Sequence, residues 1–394
     1  MIITSSFPPS RDGTARLMGN LATLLSGEGH LISVITRQTG NAPTSERIDG
    51  VDVTRVASSS SFFGKLAFFV KSSAVLVVSA QRLRVEVIHS VGTAALASCI
   101  FGSFGSKPIL VTFPGLPSES MRSGDPQRAV KTGARRILRI LTLFPRFVTV
   151  PTRQVVGPLV ELCGRGVIDK VRVIPNPVDI AKFSPSGRMV PKGNFPQLLA
   201  VGGLRSRKGV GTLLRAVPGI LPNYPTLRVT LVGGGSFGPP IKSLIEKLGI
   251  EGSVRMIGEV SDEQLITCYD ESDIVVVPSL AGGEAFGYVV AEAMCMKKPV
   301  IASATPGPTE IVSDAKCGLL FPPGDPNALA SRILEVAGDD DLRARLGENG
   351  RRYAEEHFDS KKVMAAYESL YRAAAERLPP RELARGPIQA KSSL

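Results

Sequence analysis

Two carboxylates eight positions apart, Glu284 and Glu292, stand in the run AGGEAFGYVVAEAMCMKKP (281–299). A strand-like stretch, DIVVVP (273–278), precedes the run and another, PVIA (299–302), closes it. Gly282, Gly283 and Gly287 mark a loop where backbone can come close to a ligand, and Val289–Met296 has the composition of a short buried helix. A helix beginning near Phe286–Gly287 presents free N–H groups and a partial positive charge, which suits a phosphate-bearing ligand. A carboxylate at each end of such a ligand could bind its hydroxyls. Tyr288 and Glu292 share a helix face at i, i+4, so Glu292 is expected to point toward the mouth of the site. Spacing alone fits an ordinary βαβ unit with two solvated acids equally well.

A second stretch offers positive charge. QLLAVGGL (197–204) reads as a strand running into RSRKG (205–209), which brings Arg205, Arg207 and Lys208 to a strand end. Further on, LRVTLV (227–232) is a strand, and GGGSFG (233–238) formally satisfies G-x-G-x-x-G. Glycine-rich turns after strands are common, and no dinucleotide cofactor is inferred from this one.

The elements that must hold these groups follow from length and composition. At 394 residues the chain has room for two domains, and 43% hydrophobic residues with 40 Gly and 6% aromatics fit α/β architecture. Residues 1–190 carry 23 Lys/Arg against 11 Asp/Glu, and residues 191–394 carry 24 of each. The whole formal excess of +12 therefore sits in the first half, which is expected to meet something anionic. No nucleic-acid recognition motif accompanies it, which leaves an anionic membrane surface or a phosphate-linked acceptor. The five cysteines are unpaired in spacing and read as reduced, and three histidines leave little from which to build a metal site. MIITSSFPPS at the N-terminus lacks the pattern of a signal peptide, so the expected location is cytoplasmic.

In order, Met1–Thr4 reads as a strand, Phe7–Gly13 as a turn-rich loop, Thr14–Ser26 as a helix and Gly27–Thr36 as a turn and strand. That is one βαβ unit, with a ligand-facing loop at the carboxyl end of its first strand. Phe62–Leu83 is strongly apolar but interrupted by Lys65 and Lys71. It reads as a core-packing helix, with a place in the membrane interface as the rarer alternative. Lys131, Arg135, Arg136 and Arg139 recur at helical spacing in 129–143, which suits either a solvated face or contact with anionic lipid or phosphate.

The words around the acidic pair resemble the retaining, nucleotide-sugar-dependent glycosyltransferases of family 4. These are Glu284, Phe286–Gly287 and Glu292–Ala293–Met294 in register, then PVIAS (299–303), PTEIV (308–312) and GLLFPPGD (318–325). VRVIPNPVDIAKFSP (171–185) is similar to that family's strand-to-linker word.

The resemblance implies a GT-B fold, two Rossmann-like domains with parallel sheets facing across a cleft. The N-terminal acceptor-binding domain would span 1–182 and a linker 183–196. The donor domain would span 197–358, with a closing helix at 359–377 and a mobile tail at 378–394. In this reading Glu284 orients the sugar and Lys208 stabilises the departing phosphate. Glu292 holds the ribose, and Phe286, Gly287, Tyr288, Val289, Gly13, Arg205, Arg207 and Gly258 complete the donor site. Two phosphates leaving as a dianion must be neutralised, and with no metal motif the basic side chains and helix N-termini have to do it. Lys131, Arg135 and Arg139 fall on the acceptor or membrane side. The donor is expected to be UDP- or GDP-linked, with no metal and no other cofactor. The acceptor is expected to be lipid-linked or a surface polysaccharide, with a soluble acceptor as the alternative, and attachment to the inner face of the cell membrane is the alternative location.

The sequence departs from the family pattern at Gly203, where an Arg is usual, at Val91 and at Pro114–Gly115. No catalytic histidine is therefore carried over, and His30 reads as structural. A non-catalytic sugar-nucleotide-binding homologue and a sugar-nucleotide epimerase of the same fold are the competing readings.

Overall fold

The computed structural model describes residues 1–10, 12–56, 62–82, 84–98, 107–115, 139, 141–186, 195–235, 238–280 and 284–376. The chain divides into two compact units. One comprises the described residues of Met1–Leu116, Gln127–Pro177 and Ser360–Leu394, the other those of Val178–Asp359.

In the first unit, eight strands form one sheet: β1 (Ile2–Ile3), β2 (Ser33–Arg37), β3 (Ser45–Ile48), β4 (Val51–Val56), β5 (Ile88–Val91), β6 (Ile109–Thr112), β7 (Phe147–Val150) and β8 (Val171–Val173). Their order is β3-β4-β2-β1-β5-β6-β7-β8, and only the β3–β4 pair is antiparallel. β5, β6 and β7 are buried at every position, as expected for parallel strands covered on both faces.

The helix Gly13–Gly27 puts Leu17, Met18, Leu21 and Leu25 into the core. The helix Ser360–Ala375 adds Val363, Met364, Tyr367 and Leu370 to the same cluster. The chain thus leaves the first unit near Pro177, a few residues before the expected 182, and returns to it at Ser360.

The second unit holds six parallel strands: β9 (Gln197–Val201), β10 (Arg228–Val232), β11 (Val254–Gly258), β12 (Ile274–Val277), β13 (Val300–Ser303) and β14 (Gly318–Phe321). Their order is β11-β10-β9-β12-β13-β14. The first strand of the unit lies between the second and the fourth, so strand order reverses between β9 and β12. Open α/β sheets take ligands outside the carboxyl ends of strands at such a reversal.

Val178 and Phe183 already belong to this unit's core. The helix Tyr288–Cys295 is buried on all sides from Val290 onward, because it lies beneath the helix Asp340–His357, where Gly350 lets Met294 approach. The helix Phe62–Arg82 buries Phe68, Ser72 and Leu76. Among the described residues no helix is long and apolar enough to cross a membrane.

Candidate functional site

The loops that follow β9 and β12 meet at the reversal of strand order. Gly202 through Leu204 leave β9, the short turn Ser206–Lys208 follows, and Gly209 ends it in a left-handed conformation at φ 66°. A Cβ on Gly209 would fall 1.8 Å from the Pro278 carbonyl oxygen, so only glycine lets the two loops come this close. The Leu280 N–H donates to the Arg207 carbonyl at 2.8 Å and ties the loops together.

This approach brings Lys208 to Glu284. Lys208 Nζ donates to Glu284 Oε2 at 2.5 Å, and the Ser279 hydroxyl reaches the same oxygen at 3.4 Å. The two side chains are 22% and 13% exposed, enough for a ligand to reach them and little enough to weaken screening by water. From the far side, the Gly307 N–H donates to the Glu284 carbonyl at 3.0 Å and steadies the loop. A small concavity, part of it open to solvent, lies over the strand ends and is lined by Gly202, Leu204, Lys208, Pro278, Ser279 and Val289.

The helix Tyr288–Cys295 starts beside this pair. Gly287 occupies its N-cap at φ 94°, and no side chain caps it. A carboxylate or phosphate near this end would meet backbone N–H groups and the positive end of the helix dipole. The Phe286 ring is buried among Tyr288 and Phe358, so its backbone rather than its ring is what the loop presents.

The other basic and glycine positions gather around the same strand ends. Arg205 and Arg207 are exposed. A Cβ on Gly203 would lie 4.0 Å from Arg205 Nε, so the Arg205 side chain runs alongside the position where an arginine is missing. Gly258 ends β11, and its carbonyl accepts from the Gly233 N–H at 2.7 Å.

Glu292 differs from its sequence expectation. The i, i+4 pairing with Tyr288 points it toward the mouth of the site, yet Glu292 is 1% exposed and its Oε2 accepts from the Tyr269 hydroxyl at 2.7 Å. The cause is packing, since the helix is covered all round and the helix Asp262–Glu271 supplies the donor. Neither Tyr269 nor Ser279 was singled out from sequence. Tyr269 lies on an apolar helix face and Ser279 follows a strand, and neither position carries a signal of its own.

Gly13 lies in the first unit, at the start of the helix Gly13–Gly27. Asp12 caps that helix, its Oδ1 accepting from the N–H groups of Thr14 at 2.9 Å and Ala15 at 3.1 Å. The free donors expected at such a helix entry are therefore already engaged by a carboxylate. Arg139 is exposed. Lys131, Arg135, Arg136, Gly282, Gly283 and the 378–394 tail lie outside the described residues.

Val91, where a histidine is usual, is buried in the apolar core. His89 is buried too, with Nδ1 2.7 Å from the Tyr371 hydroxyl and Nε2 2.6 Å from Thr112 Oγ1. Burial pulls its imidazole down to about 3, so it is neutral at physiological pH. The bonds join the sheet to the helix Ser360–Ala375, a structural role. His30 pairs with Glu368 of the same helix at 3.3 Å.

Residues 188–353 match the family described as "Glycosyl transferases group 1", and residues 11–182 match "Glycosyltransferase Family 4". A D-inositol 3-phosphate glycosyltransferase of Nocardioides sp. is 27% identical over 405 residues, covering 91% of this chain and 86% of that protein. Its namesake in Corynebacterium jeikeium is 34% identical over 226 residues, 53% of this chain and 52% of that protein. The chain spans about half the length of most of the curated relatives it matches. Among solved structures, the sucrose-phosphate synthase of Thermosynechococcus elongatus superposes with a TM-score of 0.85 at 24% identity, covering 96% of this chain and 100% of that one. That likeness gives both units one shared architecture, GT-B.

Proposed function

The chain belongs to the GT-B glycosyltransferases of group 1 and family 4, and from that premise we propose that it moves a hexose-type sugar from a nucleoside-diphosphate sugar to an acceptor hydroxyl with retention at the anomeric carbon. The observation that carries this reading is the Lys208–Glu284 pair at the strand reversal of the second unit, beside an uncapped helix start.

The donor's diphosphate lies against Lys208, the first turn of the helix Tyr288–Cys295 and the nearby Arg205. Their positive charge stabilises the dianion that forms as the bond between the anomeric carbon and the phosphate oxygen breaks. Glu284, freed from Lys208 by the incoming phosphate, accepts a hydrogen bond from a sugar hydroxyl. Such charge-assisted bonds are short and directional and fix the ring for attack. The acceptor oxygen then bonds to the anomeric carbon on the same face, and its proton passes to the departing phosphate. No protein nucleophile and no metal ion is assigned a step. Glu292 reaches the ribose by exchanging the Tyr269 hydroxyl for a ribose hydroxyl, one O–H donor for another at the same carboxylate.

The first unit, which carries the positive excess, receives the acceptor. A lipid-linked or surface-polysaccharide acceptor fits that charge, as does peripheral attachment to an anionic membrane.

A panel of UDP- and GDP-linked hexoses, scored by donor hydrolysis and by transfer, tests the reading. The anomeric configuration of the product, read by NMR, tests retention. The wild type should hydrolyse at least one donor, and Lys208→Ala and Glu284→Ala should lose that activity. Absence of hydrolysis in the wild type, together with donor binding unchanged in both variants, would leave the competing reading, a non-catalytic sugar-nucleotide-binding homologue. Gly203 in place of an arginine is the feature that favours that alternative.

A further inference from the structure

At the carboxyl end of β2, in the first unit, buried polar atoms collect without partners. Thr36 Oγ1, Arg37 Nε, Gln38 Oε1, Arg55 Nε and Ser72 Oγ are all buried and make no hydrogen bond. Thr36 and its register partner Arg55 face one side of the sheet, whereas Arg37, the next residue of β2, faces the other side, where Phe68 and Ser72 of the helix Phe62–Arg82 are buried. A buried polar atom left unpaired costs about 1–3 kcal/mol, and native proteins leave few of them without a reason.

Arg37 is the sharpest case. Its guanidinium carbon lies 5.6 Å from the centroid of the Phe68 ring, and its Nε is shut off from water. No carboxylate among the described residues pairs with it, whereas its neighbours Arg47 and Arg55 have Asp52 and Glu46. Ser72 is fully buried one helical turn after Phe68, on the same face of the helix. A partly desolvated guanidinium backed by an aromatic ring, with the unpartnered Ser72 hydroxyl on the same helix face as that ring and no carboxylate partner among the described residues, has the chemistry of an oxyanion receptor. Arginine's planar fork fits two oxygens of a phosphoryl group, and hydroxyls can donate to the others.

We infer that Arg37, with Ser72 on the helix face that carries Phe68, forms an anion subsite that receives a phosphoryl group of the acceptor. The location is the carboxyl end of a parallel strand, one strand removed from the reversal of strand order between β1 and β5. It lies in the half of the chain that carries the entire positive excess. The identification of the ligand as the acceptor rests on the glycosyltransferase reading; the anion subsite itself does not.

The test uses the full chain with inorganic phosphate as probe, followed by calorimetry and thermal shift at constant ionic strength. It is run in a Lys208→Ala background, so that the donor pocket does not take up the phosphate. Phosphate should bind and raise the melting temperature, and adding Arg37→Gln should weaken binding at least tenfold while leaving the melting temperature without phosphate within a few degrees. Arg37→Lys should restore part of the binding. Equal phosphate binding with and without Arg37, or none in the Lys208→Ala background, overturns the subsite.

A second arm works on the otherwise wild-type chain with an active donor. It compares soluble sugar phosphates with phospholipid vesicles as acceptors or competitors. Arg37→Gln should raise the acceptor KM at least tenfold and leave donor hydrolysis unchanged, and the competing class identifies the source of the phosphate. If phosphate binding depends on Arg37 while no donor is ever turned over, the subsite stands and the glycosyltransferase reading fails.

Discussion

Lys208 Nζ and Glu284 Oε2 lie 2.5 Å apart although 76 positions separate the two residues in the chain. Each shields the other's charge in a partly buried place, and in the proposed reaction the donor diphosphate exchanges one anion for another at the lysine. Lys208→Ala should lower kcat/KM for the donor by about 10²–10³, the usual loss of one preorganised charge at a leaving group. Because the two groups act on each other, Lys208→Ala combined with Glu284→Ala should cost less than the sum of the single losses, with coupling of about 0.5–3 kcal/mol. Strictly additive losses would show that the pair is incidental.

The bond from Tyr269 to Glu292 predicts a stability effect where the sequence suggests only a binding role. Tyr269→Phe removes the donor and leaves a carboxylate facing an apolar edge, which should cost about 1–3 kcal/mol in urea denaturation. The same variant should also alter donor affinity, since in the proposed reaction Glu292 exchanges the Tyr269 hydroxyl for a ribose hydroxyl. An unchanged denaturation midpoint would refute the structural part of this account.

Gly209→Ala places a Cβ against the Pro278 carbonyl at a positive φ. Strain and clash together should lower stability by more than about 1 kcal/mol and abolish donor binding, because the β9 and β12 loops can no longer meet. Gly157→Ala, in the helix Val156–Cys163 with open space around it, serves as the matched control and should be neutral or slightly stabilising. Similar losses in both variants would mean that the loop contact has no special weight.

His89 gives the fold a defined acid sensitivity. Burial lowers the folded-state value from 6.5 to about 3, so below pH 6.5 the unfolded chain takes up a proton that the folded chain refuses. The stability contributed by neutral His89 is fully present above that point. It is lost as the pH falls toward 3, at a slope approaching about 1.4 kcal/mol per pH unit. His89→Gln keeps a polar side chain without the titration, and should flatten the decline between about pH 6.5 and 4 when denaturation curves are compared. Parallel declines in the two proteins would assign the acid sensitivity to other groups.

The alternation of strand words and helical spacing made the two-unit α/β architecture readable, because parallel strands buried on both faces must be almost continuously apolar. Gly287, Lys208 and Glu284 were legible as a site because each follows a strand word, and strand ends are where ligands bind. What did not show was depth. Whether Glu292 faces solvent depends on how the helix Asp262–Glu271 packs against it and brings the Tyr269 hydroxyl to its carboxylate, a contact without any local signature. The capping carboxylate at Asp12 was visible as a residue, but its grip on the N–H groups of Thr14 and Ala15 depends on backbone angles that spacing does not encode. Arg37 was overlooked because a lone arginine at the end of a strand looks like any solvated charge until its neighbours are placed.

The second unit starts and finishes at one spot: Val178 and Asp359 form a β-bridge, and the Val178 N–H donates to the Phe358 carbonyl at 2.9 Å. Residues 178–359 thus make a cassette whose two seams are already sewn together. Grafting the corresponding segment of a relative between Pro177 and Ser360 should change which sugar is handled while leaving the acceptor preference with the host.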